Sequence, residues 1–459
     1  MAHEANTWIS NWNPEDDGFW RSEGKRIATR NLIWSILAEN IGFSVWLIWS
    51  VTAPRLNKVG FHYTTDQLFT LVALPGLVGA LMRFPYTFAV PRFGGRNWTM
   101  VSAALLFIPT LALAFLVTRP DTPFWLMGLA AATAGLGGGN FASSMANISF
   151  FYPDREKGFA LGLNAAGGNI GVSTVQLLVP VLITTAWLNL NPSAPAQKLH
   201  LENGGLMWLP LICLAVFGAY RYMSNLAAQR SSFKDQLVIT GRKHTWIMAW
   251  LYIGTFGSFI GYSAAFPLLL KTQFPEVTTN LAFLGALVGS VARPLGGKLA
   301  DRIGGARLTF ASFLAMALAT LGVIHFVSNK NFAGFLCMFL VLFVTTGVGN
   351  GSTFRMIPVI FRKEKLREAL AKGPEAQVEA LKAARLESAA VLGFVSAVGA
   401  CGGYLIPRSF GASIKETGSP LTALACFLAF YATCVLVTWT VYLRKSPVVA
   451  AEPRLATEV

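Results

Sequence analysis

Two arginines lie in the middle of apolar segments, where a charged side chain needs a chemical reason. Arg83 lies in VGALMRFPYTFAVPRFGGR (78–96), and Arg293 lies in VGSVARPLGGKLADRIGGAR (288–307). Placing a charge at the centre of a bilayer costs at least about 2.5 kcal/mol. A guanidinium is permanently charged and planar, and it donates paired hydrogen bonds to oxyanions. The two arginines therefore predict a binding site for a small anion.

The two arginine segments are copies of one pattern. At a constant offset of 210 residues, the following six positions coincide: Val78/Val288, Gly79/Gly289, Arg83/Arg293, Arg92/Arg302, Gly94/Gly304 and Gly95/Gly305. Arg92 and Arg302 mark the cytoplasmic ends of the two segments. Arg83 and Arg293 each lie nine residues before them, which places both on the order of 13 Å inside the membrane. We expect the pair to meet across a pseudo-twofold axis and to clamp one anion.

An alternative interpretation is that each arginine pairs with a buried carboxylate or caps carbonyls of a neighbouring helix. The sequence supplies one deep carboxylate, Glu39, for three deep arginines, Arg83, Arg293 and Arg355. At least two of these cations therefore lack a counter-ion from the protein, which favours a bound anion.

The composition predicts an all-α polytopic membrane protein. Of the 459 residues, 54% are hydrophobic and 13% are charged, whereas soluble domains carry about 25% charged residues. Apolar segments of about 20 residues, long enough to cross a bilayer, recur along the chain. The twelve predicted spans, numbered one to twelve below, are 31–53, 66–91, 98–118, 124–152, 157–185, 205–225, 244–270, 279–301, 306–328, 333–361, 387–412 and 418–443.

The charge pattern predicts the topology. Most of the 37 lysines and arginines fall in segments that would face the cytoplasm, as the positive-inside rule requires. The net charge of +15 therefore indicates topology and contact with anionic lipid rather than nucleic-acid binding. The polar first thirty residues show no signal peptide, so we expect an inner-membrane protein with both termini in the cytoplasm.

The repeat extends to further spans and defines two halves. Gly137, Gly139 and Asn140 in span four match Gly347, Gly349 and Asn350 in span ten at the same offset of 210, while spans five and eleven match at 231. We expect a cytoplasmic tail (1–30), a six-helix bundle (31–225), a linker (226–243), a second bundle (244–443) with a helical cytoplasmic insertion (362–386), and a tail (444–459). Two pseudo-symmetric six-helix halves are the architecture of the major facilitator fold.

Two aromatic residues of span seven are further candidate contacts of the anion. Tyr252 and Phe256 are four residues apart and share one face of span seven. Tyr252 could donate a hydrogen bond to an anion, with Phe256 beside it. Ordinary aromatic packing explains the same spacing, and that alternative stays open.

Several long motifs resemble the nitrate/nitrite porter family of the major facilitator superfamily. They are NWNPEDDGFW, GGNFASSMANISFFYP, GLNAAGGNIGVSTVQL, LYIGTFGSFIGYSAAF, NGSTFRMIPVIF and LGFVSAVGACGGYLIP, which together run over nearly the whole chain. GKLADRIGGAR (297–307) also resembles the cytoplasmic loop signature of the superfamily, with Gly297, Asp301, Arg302, Gly304 and Arg307; the first-half copy has lost the aspartate.

The resemblance implies the ligand and its contacts. Arg83 and Arg293 match the substrate-binding arginines of the family, and Phe141, Tyr252 and Phe256 match the aromatic residues around the anion. The glycine-rich segments 161–176 and 392–403 match the two nitrate signatures, and the candidate contacts in them are Gly168, Asn169, Gly171, Gly399 and Gly402. The resemblance implies nitrate or nitrite as substrate, whereas the arginines alone imply only a small oxyanion. Ala165 and Ala166 stand where the better-known exchangers of the family carry two glycines.

A second charged layer departs from the well-studied exchangers of the family. Glu39 lies in span one and Arg355 in span ten, each roughly 10–13 Å inside by residue count. We expect them to form an ion pair and to couple protons to the anion. If Glu39 takes up a proton when the anion arrives, the result is nitrate/proton symport; if it only neutralises Arg355, the arginine pair supports nitrate/nitrite exchange.

Other classes of function are disfavoured. No paired carboxylates, no nucleophile with a base and no metal-ligand spacing are visible, so we predict neither an enzyme nor a cofactor or metal. The five cysteines all lie in predicted spans, so we interpret them as small apolar residues. An anion sensor that does not transport stays a remote alternative. We expect a monomer.

Overall fold

A computed structural model describes residues 8–184, 199–227, 238–369 and 373–444, and these residues are mainly helical. Most of the predicted outer loop, most of the linker and the C-terminal tail lie outside the described residues. The predicted all-α fold class is confirmed.

Each predicted span falls on helical residues. The helices of the first half are Lys25–Trp46 with Ile48–Thr52, Thr65–Phe93, Gly95–Ala104 with Phe107–Leu116, Phe124–Thr133 with Leu136–Phe151, Asp154–Leu182, and Glu202–Leu206 with Trp208–Tyr222. Those of the second half are Lys243–Tyr252 with Ser258–Gln273, Phe283–Ile303, Gly305–Ser328, Phe332–Ala369, Pro374–Ala400 with Gly402–Thr417, and Leu421–Thr438.

The described residues contain nine helices that are long and apolar enough to cross a membrane, or ten if the bent pair Asp17–Trp46 and Ile48–Val59 is one span. The other two predicted spans, four and eight, also lie on helices. Span four is divided into Phe124–Thr133 and Leu136–Phe151, and span eight, Phe283–Ile303, carries four charged side chains. The chain is therefore a multi-pass membrane protein.

Two glycines end repeat-equivalent helices in the same way. Gly94 lies between spans two and three with φ 85°, and Gly304 lies between spans eight and nine with φ 91°. L-residues with a side chain rarely adopt this backbone conformation, so a glycine is required at each junction. The backbone thus repeats as the sequence pattern predicts.

The contacts divide the chain into two compact units. The first unit contains Met1–Ser231, Gly261–Leu287 and Gly403–Gly418, and the second contains Ser232–Ile260, Val288–Gly402 and Ser419–Val459. In the first unit span one packs against spans four and five, and span two packs against span four. In the second unit span ten packs against spans nine and eleven. The predicted division of the chain into segments stays a prediction.

The N-terminal segment folds onto the first unit. Trp8–Ile9 pairs in parallel with Asn225–Leu226 as a two-stranded sheet. The indole of Trp12 donates a 3.1 Å hydrogen bond to the carbonyl of Phe150, and that of Trp20 donates a 2.8 Å hydrogen bond to Glu156. The part of the predicted tail that is described is therefore ordered by contacts with spans four and five.

The predicted insertion is helical where it is described, except at Gly373, since Phe332–Ala369 runs beyond span ten and Pro374–Ala400 leads into span eleven. Arg242 lies 3.2 Å from Glu368, 3.4 Å from Glu387 and 3.9 Å from Glu364. Burial lowers the pKa of Arg242, but these carboxylates raise it by more, so its pKa lies above the usual value. This network ties the end of the linker to both helices of the insertion.

Candidate functional site

Arg83 is completely buried in the first unit. Its Nε donates a 3.1 Å hydrogen bond to the carbonyl of Gly138, and its guanidinium lies over the rings of Phe141 (4.7 Å) and Trp46 (5.4 Å). A guanidinium over an aromatic face is stabilised by about 0.5–2 kcal/mol. These contacts fix the plane of the guanidinium, as the binding of a planar oxyanion requires.

Arg293 is buried in the second unit, with 4% exposure. Its Nη2 donates to the hydroxyl of Tyr252 at 3.4 Å, and its guanidinium lies 5.5 Å from the ring of Phe354. Tyr252 and Phe256 are stacked, with ring centroids 5.5 Å apart. Within the second unit, Tyr252 therefore contacts Arg293, and Phe256 packs on Tyr252.

Trp46 and Phe354 are contacts that the sequence did not identify. Each lies on a helix that packs beside its arginine, in span one and span ten respectively. The repeat does not reveal the contact of Phe354, because Phe354 corresponds to Ser144 and not to Phe141. The two arginines thus have the same kind of aromatic contact from non-equivalent positions.

The signature glycines allow close packing within each unit. A side chain at Gly171 would meet the backbone of Asn40, and one at Gly402 would meet the backbone of Gly257. A Cβ at Gly399 would lie 2.6 Å from Cδ1 of Tyr252. Gly399 therefore acts on the site indirectly, because it lets span eleven approach the tyrosine that binds Arg293.

Asn169, between the signature glycines of span five, is completely buried. Neither of its amide atoms has a hydrogen-bond partner within the part of the chain that the structure describes. A buried amide without a partner costs free energy. Such a group is suited to donating a hydrogen bond to a bound anion, as the resemblance implies.

Glu39 is completely buried in the first unit, at the interface of spans one, four and five. Its Oε2 accepts hydrogen bonds from the hydroxyl of Ser144 and, at 2.6 Å, from Nδ2 of Asn164. A side chain at Gly168 would collide with its Oε1. Glu39 thus packs directly on the helix of span five, against Asn164 and Gly168.

Arg355 does not lie as the sequence predicted. Its Nε donates to Asp301 at 2.5 Å, and the two side chains are 50% and 51% exposed. Counting along a helix gives the height of a residue but not the face on which its side chain lies, and Arg355 lies on the face toward the cytoplasmic loop. Arg355 is therefore not buried as expected, and its ion-pair partner in the second unit is Asp301 of the loop signature.

The other loop residues also lie outside the core of the second unit. Arg302 and Arg307 are exposed, and a side chain added at Gly297 would meet nothing within 4 Å. Among the described residues no group of three or more His, Cys, Asp or Glu could hold a metal ion, and the five cysteines form no disulfide.

Comparisons with known proteins agree with this architecture. Residues 36–371 match the family described as the Major Facilitator Superfamily. The chain is 46% identical to the nitrate/nitrite transporter NarU of Escherichia coli (strain K12), over 95% of this chain and 96% of that protein. It is 36% identical to the probable nitrate/nitrite antiporter NarK2 of Thermus thermophilus, over 96% of this chain and 97% of that protein.

Solved structures support the fold. A crystal structure of the D-xylose-proton symporter superposes with a TM-score of 0.64 at 16% identity, over 89% of this chain and 96% of that chain. A bacterial homologue of the lysosomal transporter Spinster superposes with a TM-score of 0.62 at 13% identity, over 91% and 98% of the two chains. Family model, relatives and fold agree: the chain belongs to the NarK-type nitrate/nitrite porter family of the major facilitator superfamily.

Proposed function

We propose that this protein carries nitrate and nitrite across the cytoplasmic membrane by alternating access, and that nitrate enters together with protons. The observation that carries the proposal is the pair of buried arginines at repeat-equivalent positions, each lying over an aromatic ring in its own unit. The names of the relatives, which are nitrate/nitrite transporters, support the choice of substrate. Both termini face the cytoplasm in this proposal, as the charge pattern predicts.

Arg83 and Arg293 both bind the anion. Their delocalised guanidinium groups donate paired hydrogen bonds that match the planar oxygens of nitrate and nitrite. The contacts of Arg83 with Gly138 and of Arg293 with Tyr252 hold the two groups in place before the anion arrives. Without an anion the two positive charges repel each other, so the empty protein resists closure.

Glu39 carries the proton. It is a completely buried carboxyl whose Oε1 side packs against the helix of Asn169. Burial disfavours the charged form of a carboxyl, while hydrogen bonds to the carboxylate favour it. An arriving anion adds negative charge and favours protonation, so anion and proton bind with positive coupling, which is reciprocal. Arg355 is not needed for this step, because Asp301 is its partner in the second unit.

Nitrate/nitrite exchange without protons is the second candidate. It is favoured by the name of the Thermus thermophilus relative, a probable antiporter. Exchange of two monoanions is electroneutral and avoids the membrane potential, which opposes anion uptake by about 2.3 kcal/mol per 100 mV. In this case Glu39 would keep one protonation state throughout the cycle.

Nitrate uptake into proteoliposomes with an internal pH probe separates the candidates. Symport predicts that an inward proton gradient drives uptake and acidifies the lumen, and that Glu39→Gln abolishes this uptake while counterflow of labelled nitrate persists. Exchange predicts counterflow without any proton-driven uptake in the wild type. A sensor would bind nitrate and show neither. Recording current alongside pH distinguishes multi-proton symport from one-proton symport, which is electrically silent.

A further inference from the structure

The carboxyl of Glu39 is held by two neutral side chains from distant parts of the chain. Besides their bonds to Oε2, Asn164 Nδ2 and Ser144 Oγ lie 3.0 Å apart, so the three side chains form one cluster. Glu39 and Asn164 are completely buried and Ser144 is 9% exposed. Both donors converge on the same carboxylate oxygen, which stabilises the charged form.

The repeat shows that the fold does not require this cluster. Trp34 and Gly42 match Trp246 and Gly254 at an offset of 212, which makes Leu251 the counterpart of Glu39. The counterparts of Ser144 and Asn164 are Phe354 and Val395, at offsets of 210 and 231. The second half thus fills all three positions with apolar side chains. A polar cluster that is costly to bury, and that the same architecture omits elsewhere, points to a function.

Ser144 also connects Glu39 to the arginine site. Its hydroxyl has a second acceptor, the carbonyl of Phe141, at 3.2 Å. When Glu39 becomes protonated, the hydroxyl can turn from the carboxyl to this carbonyl without losing a partner. Phe141 is the residue whose ring lies 4.7 Å from the guanidinium of Arg83. One rotatable hydroxyl therefore links the protonation of Glu39 to a contact of the anion-binding arginine.

We propose that Ser144 and Asn164 are positioning residues that set the pH at which Glu39 takes up the proton accompanying nitrate, and that Ser144 transmits this change to Phe141. The proposal rests on the symport proposed above. The step is a proton transfer from hydronium to a carboxylate oxygen of Glu39: one O–H bond of hydronium breaks to leave water, one O–H bond to the carboxyl forms, and no redox change occurs.

The neighbouring ionisable groups define the electrostatic background of the cluster. Leu136–Phe151, which carries Ser144, has none. Span one itself carries Lys25, Arg26 and Arg30, and the helical turn Trp20–Gly24 before it carries Arg21 and Glu23. The ionisable groups on the other helices that pack with span one are Asp66, Arg83, Tyr86 and Arg92 on span two, Arg96 on span three, Asp154, Arg155, Glu156 and Lys157 in the first turn of span five, and Cys213, Tyr220, Arg221 and Tyr222 on span six. Of these, Arg83 contacts the helix of Ser144 through Gly138 and Phe141, and the ring of Tyr86 lies against Gly139 of the same helix.

The test is the pH dependence of proton-driven nitrate uptake in proteoliposomes for Ser144→Ala and Asn164→Val, the latter copying the second half. Each variant loses one donor to the carboxylate, so the carboxyl holds its proton more tightly. We expect the pH midpoint of uptake to rise by about one unit per lost donor. Ser143→Ala is the matched control, because the hydroxyl of Ser143 bonds the carbonyl of Asn140 in its own helix. Ser144→Thr, which keeps the hydroxyl, should restore the wild-type midpoint.

Counterflow of labelled nitrate, which needs no proton gradient, reports whether each variant is folded. If Ser144→Ala and Asn164→Val show counterflow within about twofold of wild type and an unchanged pH midpoint of proton-driven uptake, the positioning roles of Ser144 and Asn164 are overturned. The proposed symport would stand in that case. Counterflow in a wild type that shows no proton-driven uptake, or uptake driven by sodium at fixed pH, would overturn the proposed symport and this inference with it. If Ser144→Ala abolishes counterflow, Ser144→Cys, a weaker donor of similar volume, must show an intermediate shift; no shift overturns the proposal.

Discussion

Arg355 donates through Nε to Asp301 at 2.5 Å, and both partners are absent at the equivalent positions of the first half. An offset of 210 residues places Pro91 opposite Asp301 and Met145 opposite Arg355. Both residues of the ion pair are therefore present in the second half, and both are replaced in the first half. We therefore expect Arg355 to stabilise the cytoplasmic loop of the second half rather than to take part in proton coupling.

Replacing Arg355 with Met, the residue of the first half, tests this assignment. Because the pair is half exposed, we expect a loss of stability of at most about 1 kcal/mol. The pH midpoint of proton-driven uptake should not move, and the swap Asp301→Arg with Arg355→Asp should recover the wild-type thermal midpoint. A shift of the pH midpoint in Arg355→Met would return Arg355 to the proton site.

Phe354 should matter for anion binding as much as Phe141 does. Each ring lies against one of the two buried guanidinium groups, at 5.5 and 4.7 Å. Since such a contact contributes about 0.5–2 kcal/mol, replacement of either residue by Leu should weaken nitrate binding about two- to thirtyfold, as measured by calorimetry on purified protein. Phe259→Leu is the control, because this ring packs on Phe343. Unchanged affinity in Phe354→Leu would show that its ring does not hold Arg293 for binding.

Gly399 and Gly162 lie in the two signature segments and should respond oppositely to alanine. A Cβ at Gly399 would lie 2.6 Å from Tyr252, while one at Gly162 would meet nothing within 4 Å. Overpacking costs about 1–3 kcal/mol, so Gly399→Ala should displace Tyr252 and raise the half-saturating nitrate concentration about tenfold. Gly162→Ala should leave it unchanged and stabilise the helix by about 0.5–1 kcal/mol. Equal behaviour of the two variants in an uptake assay would refute the steric argument.

The sequence predicts best what depends on apolar periodicity and on the repeat. The burial of Arg83 and Arg293 follows from their positions in apolar helices, and Gly94 and Gly304 share one backbone conformation because both end equivalent helices. The resemblance to the family identified the correct fold class. These features depend on neighbouring residues along one helix or occur in both halves of the chain, so the sequence pattern alone predicts them.

Partners that come from distant segments are harder to predict. Ser144 and Asn164 lie 105 and 125 residues from Glu39, and nothing in the spacing indicates that their side chains converge on one oxygen. The half-exposed position of Arg355 and its partner Asp301 were missed because a residue count does not reveal the face of the helix. The residue equivalent to Phe354 in the first half is Ser144, so the repeat could not reveal the contact of Phe354 with Arg293.

Counterflow of labelled nitrate in proteoliposomes containing wild type, Arg83→Lys, Arg293→Lys or Arg92→Lys tests the central claim most directly. Lysine keeps the charge but loses the planar, paired donors, and a hydrogen bond to a charged group contributes about 1.5–3 kcal/mol. Arg92 is exposed and serves as the matched control. We predict that wild type and Arg92→Lys accumulate nitrate, and that Arg83→Lys and Arg293→Lys each lose at least about tenfold in initial rate at low nitrate. Full counterflow in either Arg83→Lys or Arg293→Lys would contradict the account.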